Sequence, residues 1–284
     1  MKVTQVPLST GGITAGAADL IRERVIKITD ALLESWSELS ASPLDPLATH
    51  RKKRKGRPIT GTIRPYLFAL FPTVALASTI ERSFSSSLGT AIQDCAEIIA
   101  KSAGLEARTE ETKSGWVSSG VRDYINSLTV ENRKAPEPDI SRELSTIESL
   151  NLHDDKIELG VRLDLFIESD GTRYYFDLKT PTPNSGQPPL MKKKLLEVQS
   201  ICISEGAQSK GFAVFHYNPE GTMAPFSRGG QYFDYKNGEV LVGDQFWDFI
   251  AGPGTFRSFM DIWTDVGRER SVDLNGLLGI RGSV

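Results

Sequence analysis

The chain has 284 residues, with 33 Lys+Arg against 36 Asp+Glu and a formal charge of −3. At 39% hydrophobic, 24% charged and 8% aromatic it is not collagenous, disordered or disulfide-stapled, and it is long enough for one large domain or two small ones. As a sum, the charge argues against a nucleic-acid partner. Its placement does not. Seven Lys/Arg and no acid fall between residues 49 and 66, six bases and five acids fall between 161 and 200, and the remainder is correspondingly acidic.

The first seven residues, Met1 to Pro7, hold no apolar core and do not read as a signal peptide. Ala17 to Leu39 predicts an amphipathic helix, with Leu20, Ile21, Ile28, Leu32, Trp36 and Leu39 at helical spacing. After a Ser/Pro-rich turn comes the densest charge run, Arg51, Lys52, Lys53, Arg54, Lys55 and Arg57. Such a run can track phosphates or enter a minor groove as a flexible arm, and a solvated loop is the alternative. Tyr66 to Ala77 is the most apolar stretch, but it contains Pro72 and is far shorter than the roughly 20 residues of a bilayer span, so no membrane partner is expected.

Ile80 to Ala100 predicts a second strong helix, and Lys101 to Asn132 is mixed and polar. Lys134 to Pro138 breaks the chain before Asp139, which N-caps a helix to about Leu152. Period-two alternation then predicts strands over Ile157–Ile167 and Thr172–Lys179, joined at Asp170-Gly171. A helix over Leu190–Ser204, a buried strand over Gly211–Tyr217, a hairpin over Tyr232–Val242 turning at Asn237-Gly238, and helices over Gln245–Ile250 and Phe256–Val266 complete the chain. Cys95 and Cys202 read as reduced core thiols, and with His50, His153 and His216 scattered there is no closed zinc site. The mixture of helices and strands predicts an α/β or α+β fold with a mixed sheet.

The Asp170-Gly171 hairpin carries the chemistry. A two-residue turn there sets Asp164 opposite Asp177 on one face, with Lys179 two residues further along the same face. The other face is then apolar: Leu163, Leu165 and Ile167 against Leu178, Phe176 and Tyr174. Glu168 faces Arg173, and Arg162 faces Lys179 unfavourably. Two close aspartates repel, and a hard divalent cation relieves that. Such a cation acidifies water and polarises a phosphoryl oxygen, while a neighbouring lysine orients the water. Together they point to metal-assisted phosphodiester hydrolysis. The plainer reading is a solvated hairpin, but Asp177 and Lys179 end an otherwise apolar strand, where charge needs a reason.

An acid on one strand, Asp/Glu-x-Lys on the next, then a helix and a further strand resembles the PD-(D/E)XK nuclease superfamily, with Asp164, Asp177 and Lys179 in the signature positions. Leu163 stands where that family often has proline. Thr180 to Gln187 resembles the loop after the lysine in type II restriction endonucleases that cut short G/C-rich palindromes such as GG-N-CC. Arg82 to Gly89 resembles the helix before the core in the same group. The family often adds a helical glutamate. Four residues after Gly89 stands Gln93, with Asp94 and Glu97 nearby.

The resemblance covers about residues 80–220. It implies a restriction-endonuclease-like mixed sheet flanked by helices, with an N-terminal helix and basic arm over 1–62 and the nuclease domain over 63–284. It further implies Mg²⁺ on Asp164 and Asp177, double-stranded DNA as substrate, a homodimer, a partner methyltransferase and a bacterial or archaeal cytoplasm. Asn184, Ser185 and Gln187 could meet bases or phosphates, and Lys192 is placed facing solvent or phosphate along with Lys193 and Lys194. Arg268-Glu269-Arg270 matches an Arg-acid-Arg cluster that reads G·C pairs, with a helix-end ion-pair cluster as the other reading. A structure- or damage-specific nuclease of the same fold and a non-catalytic DNA-binding module are the rival functions.

Overall fold

The computed structural model describes residues 5–41, 51–54, 57–60, 70, 72–130, 137–181, 184–221 and 226–278. The chain forms two compact units. One comprises residues 1–20 and 92–260, the other residues 21–91 and 261–284.

The larger unit is built on a five-stranded mixed sheet. Its strands are β3 (Glu106–Thr109), β6 (Leu165–Ser169), β7 (Thr172–Lys179), β8 (Ser209–Phe215) and β9 (Val240–Val242), and they lie side by side in that order. β6 runs antiparallel to both β3 and β7, whereas β8 and β9 add in parallel. A parallel step needs a crossover, and α5 (Gln187–Ser204) supplies it between β7 and β8. Pro188 and Pro189 open α5, where a missing N–H costs no helical hydrogen bond.

The predicted hairpin register holds. Leu165 pairs with Phe176 and Glu168 with Arg173, and the turn residues Asp170 and Gly171 both have positive φ, as a type I′ turn requires. One face of the sheet carries Phe176 and Phe212, their ring centroids 5.6 Å apart, under Phe246 and Phe249 of α6 (Asp244–Ala251). The other face carries Phe166 and Tyr175 and packs with Leu195, Val198 and Cys202 of α5 in one buried cluster. Both cysteines are free and buried.

The expected single strand over 157–167 is instead two. β5 (Lys156–Arg162) pairs with β4 (Thr112–Ser118) in a separate two-stranded ribbon, and the chain bends at Leu163-Asp164 before entering β6. Toward β3 and β4 no residue is inserted at the bend, since Glu110 N donates to Asp164 O and Leu163 N to Glu111 O; toward β7, Asp164 N donates to Phe176 O, the carbonyl of the residue already paired with Leu165. The unusual backbone lies opposite, between the end of β3 and the start of β4, where Glu110 has φ 54. Two expectations change. Leu163 turns to join the α5-side cluster, and Arg162 forms an ion pair with Glu110 instead of facing Lys179.

The ribbon's far end carries α3 (Ser119–Leu128) and α4 (Ile140–Leu150). Asp139 caps α4 as predicted, its side chain accepting from Arg142 N. The predicted 232–242 hairpin is absent. Residues 228–238 are turns, and only Val240–Val242 is extended, along β8.

In the smaller unit, α1 (Ala15–Ala41) contributes its residues from Ile21 on, and α7 (Thr255–Leu278) those from Asp261 on. Arg22 pairs with Glu269, and Arg270 pairs with Asp30. The basic segment is a β-ribbon, not a loop: β1 (Arg51–Arg54) runs antiparallel to β2 (Arg57–Thr60), with Arg54 directly opposite Arg57. Lys55 lies outside the described residues, as does His50. Among the described residues no helix is long and apolar enough to cross a membrane.

Candidate active site

Asp164, Asp177 and Lys179 come together as their register predicts. Asp177 sits mid-sheet, opposite Ala213 of β8, and is fully buried. Lys179 Nζ bridges the two acids, 3.0 Å from Asp164 Oδ2 and 3.1 Å from Asp177 Oδ1, and also donates to Leu178 O at 3.0 Å. Asp164 Oδ2 accepts a further hydrogen bond from Leu178 N at 2.7 Å. The bend therefore hands Asp164 to the end of β7, and the backbone of β7 fixes its carboxylate.

The electrostatics are those of a charged cluster held out of water. Burial, with Asp164 adding to it, raises the Asp177 carboxyl above the ordinary range despite the opposing pull of Lys179 and Lys194. Burial alone would lower the Lys179 ammonium, but Asp177 and Asp164 outweigh it and raise it. Lys179 is thus protonated here and acts as a donor and a positive charge. Asp177 Oδ2 is buried with no hydrogen-bond partner. Buried carboxylate oxygens are rarely left so, and a cation is the partner this one suits. Among the described residues no group of three or more His, Cys, Asp or Glu gathers around a metal position, and the carboxylates that could hold a metal here are those of Asp164 and Asp177. That fits a cation which keeps several waters.

Among the candidates for a further acid, Glu97 on α2 (Pro72–Ser102) is tied to the site's strands. Its Oε2 accepts from Thr109 N at 3.1 Å, one residue before the Glu110 N that holds Asp164 O. Burial would raise its carboxyl, but the hydrogen bonds from Lys101 and Thr109 outweigh burial and lower it. Gln93 and Asp94 are half-buried on the same helix.

The other sequence candidates divide. Asn184 and Ser185 are exposed just after the site strand, and Gln187 begins α5. Lys192 requires correction. It is fully buried, with Nζ 2.6 Å from both Glu143 Oε2 and Glu239 Oε1, so it cannot meet DNA from there. Glu269 and Arg270 pair with α1, and Arg268 pairs with Asp265 at 3.2 Å, an ion-pair cluster within the helices and not at their ends. Lys194 also departs from the expectation of a solvent-facing lysine, since its Nζ lies 3.1 Å from Asp177 Oδ1. The sequence holds one hint of this: Lys194 stands on the helix that directly follows the signature strand.

A mixed sheet that presents Asp…Asp-x-Lys where an antiparallel hairpin meets a parallel crossover defines a restriction-endonuclease-like nuclease. The chain belongs to the type II restriction endonuclease family of HinfI, whose model matches residues 19–267. It resembles three type II restriction enzymes of Herpetosiphon aurantiacus. HgiEI is 27% identical over 227 residues, covering 75% of this chain and 81% of the relative. HgiBI is 26% identical with the same coverage, and HgiCII is 26% identical over 225 residues. The protein is therefore an endodeoxyribonuclease that acts on DNA, in a family of hydrolases that generally use divalent metal ions.

Proposed function

We propose that this restriction enzyme is Mg²⁺-dependent and cuts both strands of a short, palindromic, G/C-rich site. Asp164 and Asp177 would hold the cation, and Lys179 would position the attacking water. The observation that carries the reading is the buried, unpartnered Oδ2 of Asp177 beside an Asp164 whose carboxylate is already fixed by Leu178 N and Lys179. When bound, the cation supplies an acidified water and a polarised phosphoryl oxygen. The chain's own contribution is positional: β7 orients Asp164, the sheet excludes water from Asp177, and Lys179 holds a proton and a positive charge where the phosphate's charge grows. Water oxygen bonds to phosphorus, one P–O ester bond breaks, and the departing oxygen is protonated.

Asn184, Ser185 and Gln187 are proposed as DNA contacts beside the site. The basic ribbon Arg51–Arg54/Arg57–Thr60 is proposed to follow phosphates, since five of its eight residues are Lys or Arg and none is acidic. A palindrome is cut symmetrically by a twofold assembly, so a homodimer is proposed, acting in the cytoplasm alongside a methyltransferase that protects the same site. The test is a plasmid digest with Mg²⁺, followed by sequencing of the fragment ends. Discrete fragments with one defined end are expected, lost in Asp177→Asn and in Lys179→Ala. A smear of undefined ends, or full activity in either variant, would sink the reading.

A further inference from the structure

Hydrolysis by Asp164, Asp177 and Lys179 leaves Lys194 without a role. Asp177 Oδ1 receives two ammonium groups, Lys179 and Lys194, each at 3.1 Å. Lys179 belongs to the strand that carries the signature, whereas Lys194 arrives from the crossover helix α5. The two aspartates and two lysines form a cluster that is charge-neutral as it stands. Little of it faces water: the Lys179 and Lys194 side chains are 24% and 27% exposed, and Asp177 is not exposed at all.

A divalent cation on the same carboxylates would add two positive charges beside two ammonium groups already in place. Both ammonium groups sit on Oδ1 and leave Oδ2 to the cation, so the conflict is one of charge, and it is relieved when one ammonium leaves Asp177. Lys179 is the costlier to move, since it also donates to Asp164 Oδ2 and Leu178 O. Lys194 makes a single hydrogen bond among the described residues, the one to Asp177. Its backbone cannot follow the side chain. Two residues earlier Lys192 is locked between Glu143 and Glu239, and the next residues, Leu195 and Leu196, are fully buried. What can move is the four-carbon stem of a lysine, whose ammonium is a compact, mobile point charge.

We propose that Lys194 is the resident counter-ion of Asp177, displaced when the metal binds and handed to an incoming DNA phosphate. The inference rests on Asp164 and Asp177 being the metal ligands. It has two consequences. The free protein binds divalent cations weakly, because a cation must first evict Lys194. DNA and metal then bind with positive coupling, because a phosphate offers the evicted ammonium a new partner.

The experiment titrates Mn²⁺ calorimetrically into the wild type, Lys194→Met and Asp177→Asn, all without DNA. Lys194→Met is expected to bind Mn²⁺ about tenfold more tightly than the wild type, the factor equivalent to one pK unit of competition. Asp177→Asn is expected to lose binding. Ca²⁺ titrated with a duplex carrying the cut site should tighten DNA binding strongly in the wild type and much less in Lys194→Met. If Lys194→Met binds Mn²⁺ no better than the wild type while Asp177→Asn loses it, Lys194 is not the competitor, and the metal reading survives without it. If Asp177→Asn binds Mn²⁺ normally, the metal reading fails and this inference with it. Lys194→Gln, which keeps a polar stem without the charge, is expected to repeat the Lys194→Met result and stands in for it should the methionine variant fold poorly.

Discussion

Replacing Lys192 by methionine isolates a fully buried charge cluster. The side chains of Lys192, Glu143 and Glu239 are at most 1% exposed, and Lys192 Nζ lies 2.6 Å from each carboxylate. The triad carries net −1 if all three groups are charged. Burial pushes the Glu239 carboxyl up, against the pull of Lys192. Methionine fills nearly the same space without charge and leaves two buried carboxyls facing each other. Breaking a buried pair typically costs about 3–5 kcal/mol. Neutralising one glutamate of ordinary pKa at about pH 7.5 costs roughly 4 kcal/mol, in agreement. Out of a typical stability of about 5–15 kcal/mol, this is a large loss.

The sign with pH follows from the extra proton. Folded Lys192→Met holds one more proton than the folded wild type, so its deficit shrinks as pH falls, by about 1.4 kcal/mol per unit. Urea midpoints of both proteins at about pH 7.5 and about pH 5.5 should therefore converge by nearly 3 kcal/mol. Adding Glu143→Leu and Glu239→Gln to Lys192→Met should restore most of the stability. The triad becomes uncharged, and the carboxamide introduced by Glu239→Gln keeps an acceptor for Asp234 N, which now donates to Glu239 Oε2 at 2.8 Å. A deficit under about 1 kcal/mol, or one that does not change with pH, would refute the reasoning.

Two further expectations concern stability. Burial lowers the His216 imidazole to about 4, against about 6.5 when unfolded, so its contribution is complete above the unfolded value and is lost as pH falls toward the folded one. About 2 kcal/mol should be missing at about pH 5, and His216→Leu should flatten that part of the wild type's urea-midpoint profile. A Cβ at Gly115 would overlap Ile201 Cγ2, so Gly115→Ala should lower the thermal midpoint with a cost of about 1–3 kcal/mol, and Ile201→Leu, which removes the clashing branch, should recover part of it.

The legible parts of the fold are those whose signals are local. Asp170-Gly171 prescribes a tight turn, the turn prescribes the register, and the register places Asp164, Asp177 and Lys179 together. Asp139 likewise caps α4 through its own side chain. What could not be read depends on distant partners. β4 reads as polar because one face lies on α5, with Gly115 against Ile201, and the other faces solvent. The bend at Leu163-Asp164 leaves no mark in its own alternating pattern, and the unusual φ belongs to Glu110. In Lys192-Lys193-Lys194 three identical side chains have three fates. Lys192 is buried by glutamates 49 residues before it and 47 after it, Lys193 bonds Asn126, and Lys194 reaches Asp177. A run of like charges reads as solvated unless its counter-charges are known. The Asn237-Gly238 signal is real as a turn, since Gly238 has φ 74, and Val240–Val242 is extended after it, but the residues before it form turns and not a strand.

The β4–β5 ribbon has a consequence for how the molecule could be shortened. Ser118 and Lys156 are direct cross-strand partners, so the chain between them, α3 and α4 included, leaves and re-enters the ribbon at one point. In topology it is a detachable module, and a two-residue turn could close the ribbon as a plain hairpin. In charge it is not detachable, because it brings Glu143. Its removal would leave Lys192 with Glu239 alone, exchanging two carboxyl partners for one on the helix that also carries Lys194. The excision would thus be felt at the active site through the seating of α5.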